Sequence, residues 1–118
     1  MDLCDESKIK RMDELRKKAD SFYLKKSKVY RSFIEMETTT YSNGALLKKQ
    51  KELIATGISV VLNCESCMEW HIREALADGA TEDEILETIE VGIEMSGGPG
   101  TVAARFAMNV LEHYRNQT

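Results

Sequence analysis

Apolar residues recur at three- and four-residue intervals along most of the chain, and each run stops at a polar or glycine-bearing break. From Glu6 to about Leu24, Ile9, Met12, Leu15, Ala19, Phe22 and Tyr23 form one stripe, the spacing of an amphipathic helix. A second run, from about Lys26 to Glu37, gathers Val29, Tyr30, Phe33, Ile34 and Met36 on a broad face before Thr38-Thr39-Thr40-Tyr41-Ser42-Asn43-Gly44 breaks the pattern. Ala45 to Leu62, with Leu46, Leu47, Leu53, Ile54, Gly57, Ile58, Val61 and Leu62 so spaced, forms a third helix whose later turns are apolar nearly all round, which predicts burial of that half. Asn63 suits the N-cap of a fourth helix and Gly79 its C-terminal stop. Thr81-Glu82-Asp83-Glu84 is a capping box that starts a fifth helix through about Met95, with Ile85, Leu86, Ile89, Ile93 and the small Gly92 facing inward. After Ser96-Gly97-Gly98-Pro99-Gly100 a last helix runs to about Tyr114, with Val102, Ala103, Phe106, Ala107, Val110 and Leu111 apolar. No repeat, low-complexity segment or strand pair interrupts the series, so the expected fold is all-α with about six helices.

At 118 residues, with 42% hydrophobic and 31% charged residues, the chain suits one helix-rich globular domain. It holds no apolar run long enough to span a bilayer, so no membrane association is expected. Met1-Asp2-Leu3-Cys4-Asp5-Glu6 lacks a basic stretch followed by an apolar one, and the expected location is the cytoplasm. Charge is uneven. Residues 1 to 31 hold ten Lys and Arg against six Asp and Glu, leaving six against fourteen in the remainder, so a basic arm precedes an acidic body. The arm's lysines are interleaved with acids and no reader motif accompanies them, so a solvated face or an arm lying on an acidic neighbouring subunit is expected, not nucleic acid. No glycine-rich phosphate loop follows a strand, so no nucleotide, flavin or other cofactor is assigned. Trp70, Tyr23, Tyr30 and Tyr41 are expected in the core or an interface.

The candidate chemistry lies in Asn63-Cys64-Glu65-Ser66-Cys67-Met68-Glu69-Trp70-His71. Residues three apart on a helix share a face, with Cβ atoms about 5 to 6 Å apart, so Cys64 and Cys67 can close a disulfide. His71, four residues beyond Cys67, reaches the same face and can take or return a thiol proton. A motif opening a helix also gains from the dipole, which favours thiolate and lowers a cysteine pKa from about 8.5 toward about 7 or below. Cys4 is a spare thiol in this reading, and an odd cysteine count suits a reducing compartment. A fourth group, Glu52, could orient His71 or accept its proton if the third and fourth helices form a tight hairpin. Its position after Lys48, Lys49 and Lys51 fits a surface residue equally well.

Three other readings compete. A metal site of Cys64, Cys67 and His71, completed by Cys4 or His113, has suitable residue types, but zinc sites usually set C-x2-C in a turn and need a fourth ligand. Buried structural cysteines would suit any one of these residues better than all four together. A scaffold role for the acidic body and basic arm predicts ordinary thiols. His113 has no evident partner and is expected at the surface.

Lys51-Glu52-Leu53-Ile54, Gly57-Ile58-Ser59-Val60, Cys64-x2-Cys67-x3-His71, Ala75-Leu76-x2-Gly79-Ala80-Thr81-x2-Glu84-Ile85 and Gly97-Gly98-Pro99 together resemble the carboxymuconolactone decarboxylase superfamily, in particular its alkylhydroperoxidase D-like branch. The resemblance covers about residues 45 to 112 and leaves residues 1–44 as an N-terminal helical arm on a single domain. It implies an all-helical fold assembling into trimers or hexamers, and a proton-relay and dithiol site of Glu52, Cys64, Cys67 and His71. It further implies reduction of disulfides or peroxides, with electrons from a dithiol donor of the dihydrolipoamide or thioredoxin kind. Ser66 stands where alkylhydroperoxidase proper has a second histidine, and that protein is a longer two-repeat chain, which favours disulfides over hydroperoxides here. The decarboxylase branch lacks the cysteine pair, so a lyase activity is the lesser alternative. In the expected cycle one thiolate attacks and the other cysteine resolves; Cys67 is nearer His71 and Cys64 nearer the helix end, with a slight preference for Cys67 as the attacker.

Overall fold

The computed structural model describes residues 5–115 and 117, so Cys4 lies outside the described residues. It consists of α1 (Glu6–Lys26), α2 (Lys28–Thr40), α3 (Lys48–Val61), α4 (Glu65–Ala77), α5 (Glu82–Ser96) and α6 (Gly98–Arg115), with no strand among the described residues. The six-helix, all-α expectation holds, with ends shifted by a few residues. Ser27 sets the first shift by ending α1 and starting α2. Its amide donates to the Tyr23 carbonyl at 2.9 Å while its hydroxyl accepts from the Tyr30 amide at 3.0 Å.

The junction between α3 and α4, which carries the first cysteine, differs from expectation. Asn63 does not cap α4; it adopts a left-handed conformation, φ 51°, which Asn tolerates better than most residues. That conformation ends α3 in a Schellman motif, with the Asn63 amide donating to Val60 at 3.1 Å and the Cys64 amide to Ser59 at 3.0 Å. Cys64 is then the N-cap of α4, its Sγ accepting from the Cys67 amide at 3.2 Å. Gly79, φ 94°, closes α4 by the same motif, as expected, and Thr81 with Glu84 forms the anticipated capping box of α5.

Helices α3 to α6 form the body. α3 packs on α4 and α5, and α6 packs on the same two from the other side. Met68, Ile72, Ile85, Ile89, Ala107 and Val110 fill the space between them. The α3–α5 contact is close because Gly57 and Gly92 face it: a Cβ on Gly92 would lie 2.9 Å from both the Gly57 carbonyl oxygen and the Val60 Cβ.

α3 departs from its predicted burial at four apolar positions, while Gly57 is buried and Leu53 packs against the core as expected. Its buried positions are Glu52, Thr56, Gly57, Ser59 and Val60, whereas Ile54, Ile58, Val61 and Leu62 are exposed. The polar residues face inward because Glu52 finds partners on α4 and the hydroxyls of Thr56 and Ser59 donate to the carbonyls of Glu52 and Thr56 at 2.9 and 2.6 Å. The arm is lightly seated by comparison. Ile9 is the one fully buried apolar residue of α1, α2 buries none, and α2 packs chiefly on α1. Phe22, Val29, Phe33 and Met36 stay exposed.

His113 is not a surface residue. It lies three residues after Val110 on the inner stripe of α6 and is only 5% exposed. Its Nε2 meets Gln117 Nε2 at 3.0 Å, and its Nδ1 lies 4.0 Å from Glu6 Oε1 on α1.

Gly92→Ala tests the close α3–α5 contact. The added methyl forces the backbones apart, and urea denaturation is expected to show a loss of about 1–3 kcal/mol. Wild-type stability in this variant would mean that the two helices part without cost.

Candidate functional site

Two polar positions one turn apart on α3 face α4: Glu52 meets His71 in its middle, and Lys48 meets Glu74 and Asp78 near its end, while Cys64 and Cys67 stand at its start. Cys64 and Cys67 are joined in a disulfide, with Cα atoms 5.2 Å apart. His71 Nδ1 lies 2.7 Å from Glu52 Oε1. The tight hairpin that would bring Glu52 to the dithiol's histidine is therefore present, and Glu52 is buried, 1% exposed. With the carboxylate accepting, the proton sits on Nδ1 and Nε2 is left as the basic nitrogen of the ring.

Lys48, which the sequence did not single out, belongs to this cluster. Its ammonium reaches Glu52 Oε2 at 3.2 Å, Asp78 at 2.6 Å and Glu74 at 3.7 Å. Burial pulls this lysine down, but the hydrogen bonds to Asp78 and Glu52 and the charges of Glu52 and Glu74 outweigh it and raise it overall, so it stays cationic. Tyr41, at the end of α2, lays its ring against His71 with centroids 5.2 Å apart, and burial raises its hydroxyl. Glu52 thus holds its carboxylate between an ammonium and an imidazole.

A pocket of 240 Å³ opens over this cluster. Cys67 and His71 line it, and Cys64 does not. Its far wall comes from the arm: Arg16 and Asp20 of α1, Tyr30, Phe33 and Glu37 of α2. Tyr30 donates a short hydrogen bond to Asp20, which, with burial, pushes the phenol up to about 12. Burial raises the Glu37 carboxyl most, Asp20 and Glu52 add to the rise, and His71 and Arg16 oppose it.

Arg16 was not singled out by sequence, because its partners lie 50 and 53 residues away. Its guanidinium bonds Glu69 Oε1 at 2.6 Å and donates to the carbonyl and hydroxyl of Ser66 at 3.0 and 3.1 Å. It thereby grips the two-residue step between the cysteines. Glu69 is fully buried, and its other contacts are Arg73 at 3.8 Å and the Tyr114 hydroxyl at 3.3 Å. Arg73 in turn bonds Asp13 of α1 at 2.7 Å. Burial would raise Asp13, but Arg73 and Lys17 outweigh it and hold the carboxyl below its ordinary range. That contribution to stability is present above the ordinary carboxylate pKa and is lost as pH falls through the lowered one. The arm is therefore tied to α4 by charge more than by apolar contact.

Arg16→Ala is expected to cost about 3 kcal/mol in urea denaturation, because it strips a buried carboxylate of its nearest partner. Arg16→Met combined with Glu69→Gln should recover part of that loss. A single-variant loss below about 1 kcal/mol would show that this pair does not anchor α1.

No helix among the described residues is long and apolar enough to cross a membrane, and no group of three or more His, Cys, Asp or Glu is arranged to hold a metal. Comparison with known proteins extends the geometric picture. Two uncharacterized relatives are 36% identical over 81 residues, in the Paracoccus denitrificans cox locus, and 38% identical over 66 residues, in Cupriavidus necator. The first match spans 69% of this chain and 73% of the relative, the second 56% and 58%. A carboxymuconolactone decarboxylase family protein from Legionella pneumophila, crystallised in its apo form, superposes with a TM-score of 0.81 at 27% identity, over 92% of this chain and 98% of its own. A Thermotoga maritima family protein, for which a part in the antioxidative response has been suggested, gives TM-scores of 0.84 and 0.86 in two crystal structures, at 25% and 27% identity. These cover 91% and 92% of this chain, and 92% and 96% of theirs. The bonded C-x2-C pair fits the alkylhydroperoxidase D-like branch. The family's sequence model matches residues 27–110, taking in α2 through most of α6 and leaving α1 outside, and on that span the chain belongs to the carboxymuconolactone decarboxylase family.

Proposed function

We propose that this chain is a dithiol oxidoreductase in which Cys67 attacks, Cys64 resolves, and His71 with Glu52 moves the proton. The observation that carries the reading is the lining of the pocket: Cys67 and His71 line it, while Cys64, the N-cap of α4, does not. In the reduced enzyme, His71 takes the Cys67 proton and the thiolate attacks a substrate disulfide. A bond forms between Cys67 and one substrate sulfur, the substrate S–S bond breaks, and the departing thiolate takes up a proton. Cys64 then attacks Cys67, releasing the second substrate thiol and closing Cys64–Cys67. Two electrons have passed from the enzyme to one disulfide. An external dithiol, of the dihydrolipoamide or thioredoxin kind, reopens the pair and leaves as its own disulfide. A hydroperoxide is the second substrate class: attack on its distal oxygen gives a Cys67 sulfenate and an alcohol, and Cys64 displaces water.

Two substitutions separate the roles. Cys67→Ser should show no reaction with a model disulfide in dithiol-coupled turnover. Cys64→Ser, mixed with the disulfide and no dithiol, should react once and stop, and mass spectrometry should find the substrate thiol attached at Cys67. Turnover by Cys67→Ser, or a full wild-type rate in Cys64→Ser, would sink the scheme. Comparing the rates of disulfide and hydroperoxide reduction by the same wild-type preparation decides which substrate class dominates.

We also propose that the chain works as a homo-oligomer, a trimer or hexamer, with a second copy covering the exposed apolar face of α3 and α5. What supports this is a 480 Å³ groove lined by Ile54, Ile58, Val61, Val91 and Met95, residues that an isolated chain leaves in water. The basic arm and acidic body add a complementary charge pair between copies. Ile58→Lys should lower the sedimenting mass toward one chain while leaving the helical circular dichroism intact. An unchanged mass would place the interface elsewhere.

A further inference from the structure

The pocket over Cys67 carries a charge pattern that the dithiol mechanism does not use. Of its basic side chains, Arg16 is already neutralised by Glu69 at 2.6 Å and spends two further donors on Ser66. His71 is bonded to Glu52, and the Lys48 behind Glu52 faces Asp78 and Glu74 as well. Neither acid in the wall is in ion-pair contact with a cation, although His71 and Arg16 act on Glu37 from a distance. Asp20 accepts from the neutral Tyr30 phenol, and no side-chain hydrogen bond or ion pair among the described residues engages the Glu37 carboxylate. Phe33, Ile34 and Trp70 supply apolar surface beside them. The volume, 240 Å³, suits a slender ligand with a few methylenes on each side of its sulfurs.

We propose that this pocket selects small cationic disulfides, aminothiol disulfides in chemical class, and that Asp20 and Glu37 set the preference. The inference rests on the dithiol reading. An ammonium two carbons from the substrate sulfur lies near the wall carboxylates when that sulfur meets Cys67, and an anionic disulfide of equal length meets repulsion there. One unit charge several Å away in a partly solvated cleft changes the rate by roughly tenfold. The groups facing Glu37 are His71 from α4, Arg16 and Asp20 from α1, and Glu52 from α3. Burial and the two neighbouring acids make Glu37 hold its proton to higher pH than an ordinary carboxyl. The preference is therefore complete where Glu37 is ionised and weakens as pH falls through its raised value.

The test compares kcat/KM for cystamine, hydroxyethyl disulfide and dithiodipropionate, which are matched in length and carry positive, neutral and negative ends. Each value is divided by the rate of the same disulfide with free dithiothreitol, which removes intrinsic reactivity. The expected normalised ratio of cystamine to dithiodipropionate is about tenfold or more in low salt. It should collapse toward one in D20N/E37Q, and in wild type when salt rises from about 0.01 M to about 1 M. The salt arm keeps the proposal testable even if the double variant does not fold. A wild-type ratio near one at low salt, with all three disulfides turned over, overturns the charge selection and leaves the dithiol reading standing. Failure to turn over hydroxyethyl disulfide, which has no charge to reject, overturns both.

Discussion

A carboxylate that is 1% exposed cannot stay unpartnered, because removing it from water costs several kcal/mol unless charge and hydrogen bonds replace the lost solvation. Glu52 meets that demand with His71 at 2.7 Å and Lys48 at 3.2 Å. The first partner lies on α4 and the second one turn back on α3, so satisfying Glu52 sets how the two helices lie against each other. The short corner between them obeys the same constraint. Asn63 turns left-handed, the Cys64 amide closes α3, and the Cys64 sulfur opens α4. One residue thus terminates one helix, starts the next and carries half of the dithiol, so the motif has little freedom to slide against its histidine.

The arm obeys a different rule. With Ile9 its one fully buried apolar anchor, α1 is held by ion pairs that converge on α4: Lys8 with Glu65, Asp13 with Arg73, and Arg16 with Glu69. Exposed pairs of this kind contribute little, and the Lys8–Glu65 bond is about 40% open on each side. The Arg16–Glu69 pair differs because one partner is fully buried and the other bonds the Ser66 step. Displacing α1 therefore uncovers a charged group and loosens the turn between the cysteines at once. The helix outside the family's matched span is thus bonded directly to the motif at its centre.

Most of the architecture was legible in the sequence because it is written locally. Periodicity gave six helices, and the Thr81–Glu84 box and Gly79 gave two ends; spacing put Cys64, Cys67 and His71 on one face, and of these Cys67 and His71 line the pocket while Cys64 caps the helix. Glu52 was legible as a possibility and needed the hairpin to bring it to His71. Two features were harder for physical reasons, and a third was misread. Arg16 meets partners some 50 residues away, a distance at which no periodicity operates. Asn63 satisfied the rule for an N-cap, and only its left-handed backbone reveals that it ends α3 instead. His113 was readable and misread: Ala103, Phe106, Ala107 and Val110 define a stripe that reaches it, and polarity alone sent it to the surface.

α3 was misread most deeply, because the usual inference from apolar to buried fails on it. Its inward side carries Glu52, Thr56 and Ser59, and its outward side carries Ile54, Ile58 and Val61. An isolated domain gains nothing from that inversion, since three aliphatic side chains remain in water. It makes sense if the chemistry requires the polar side and a second copy covers the apolar one. Glu52 and Ile58 then lie fewer than two turns apart on one rigid element. Closing an interface on the outer face would restrain the helix that positions the His71 partner, so assembly and proton transfer would be coupled through α3 with no moving part between them.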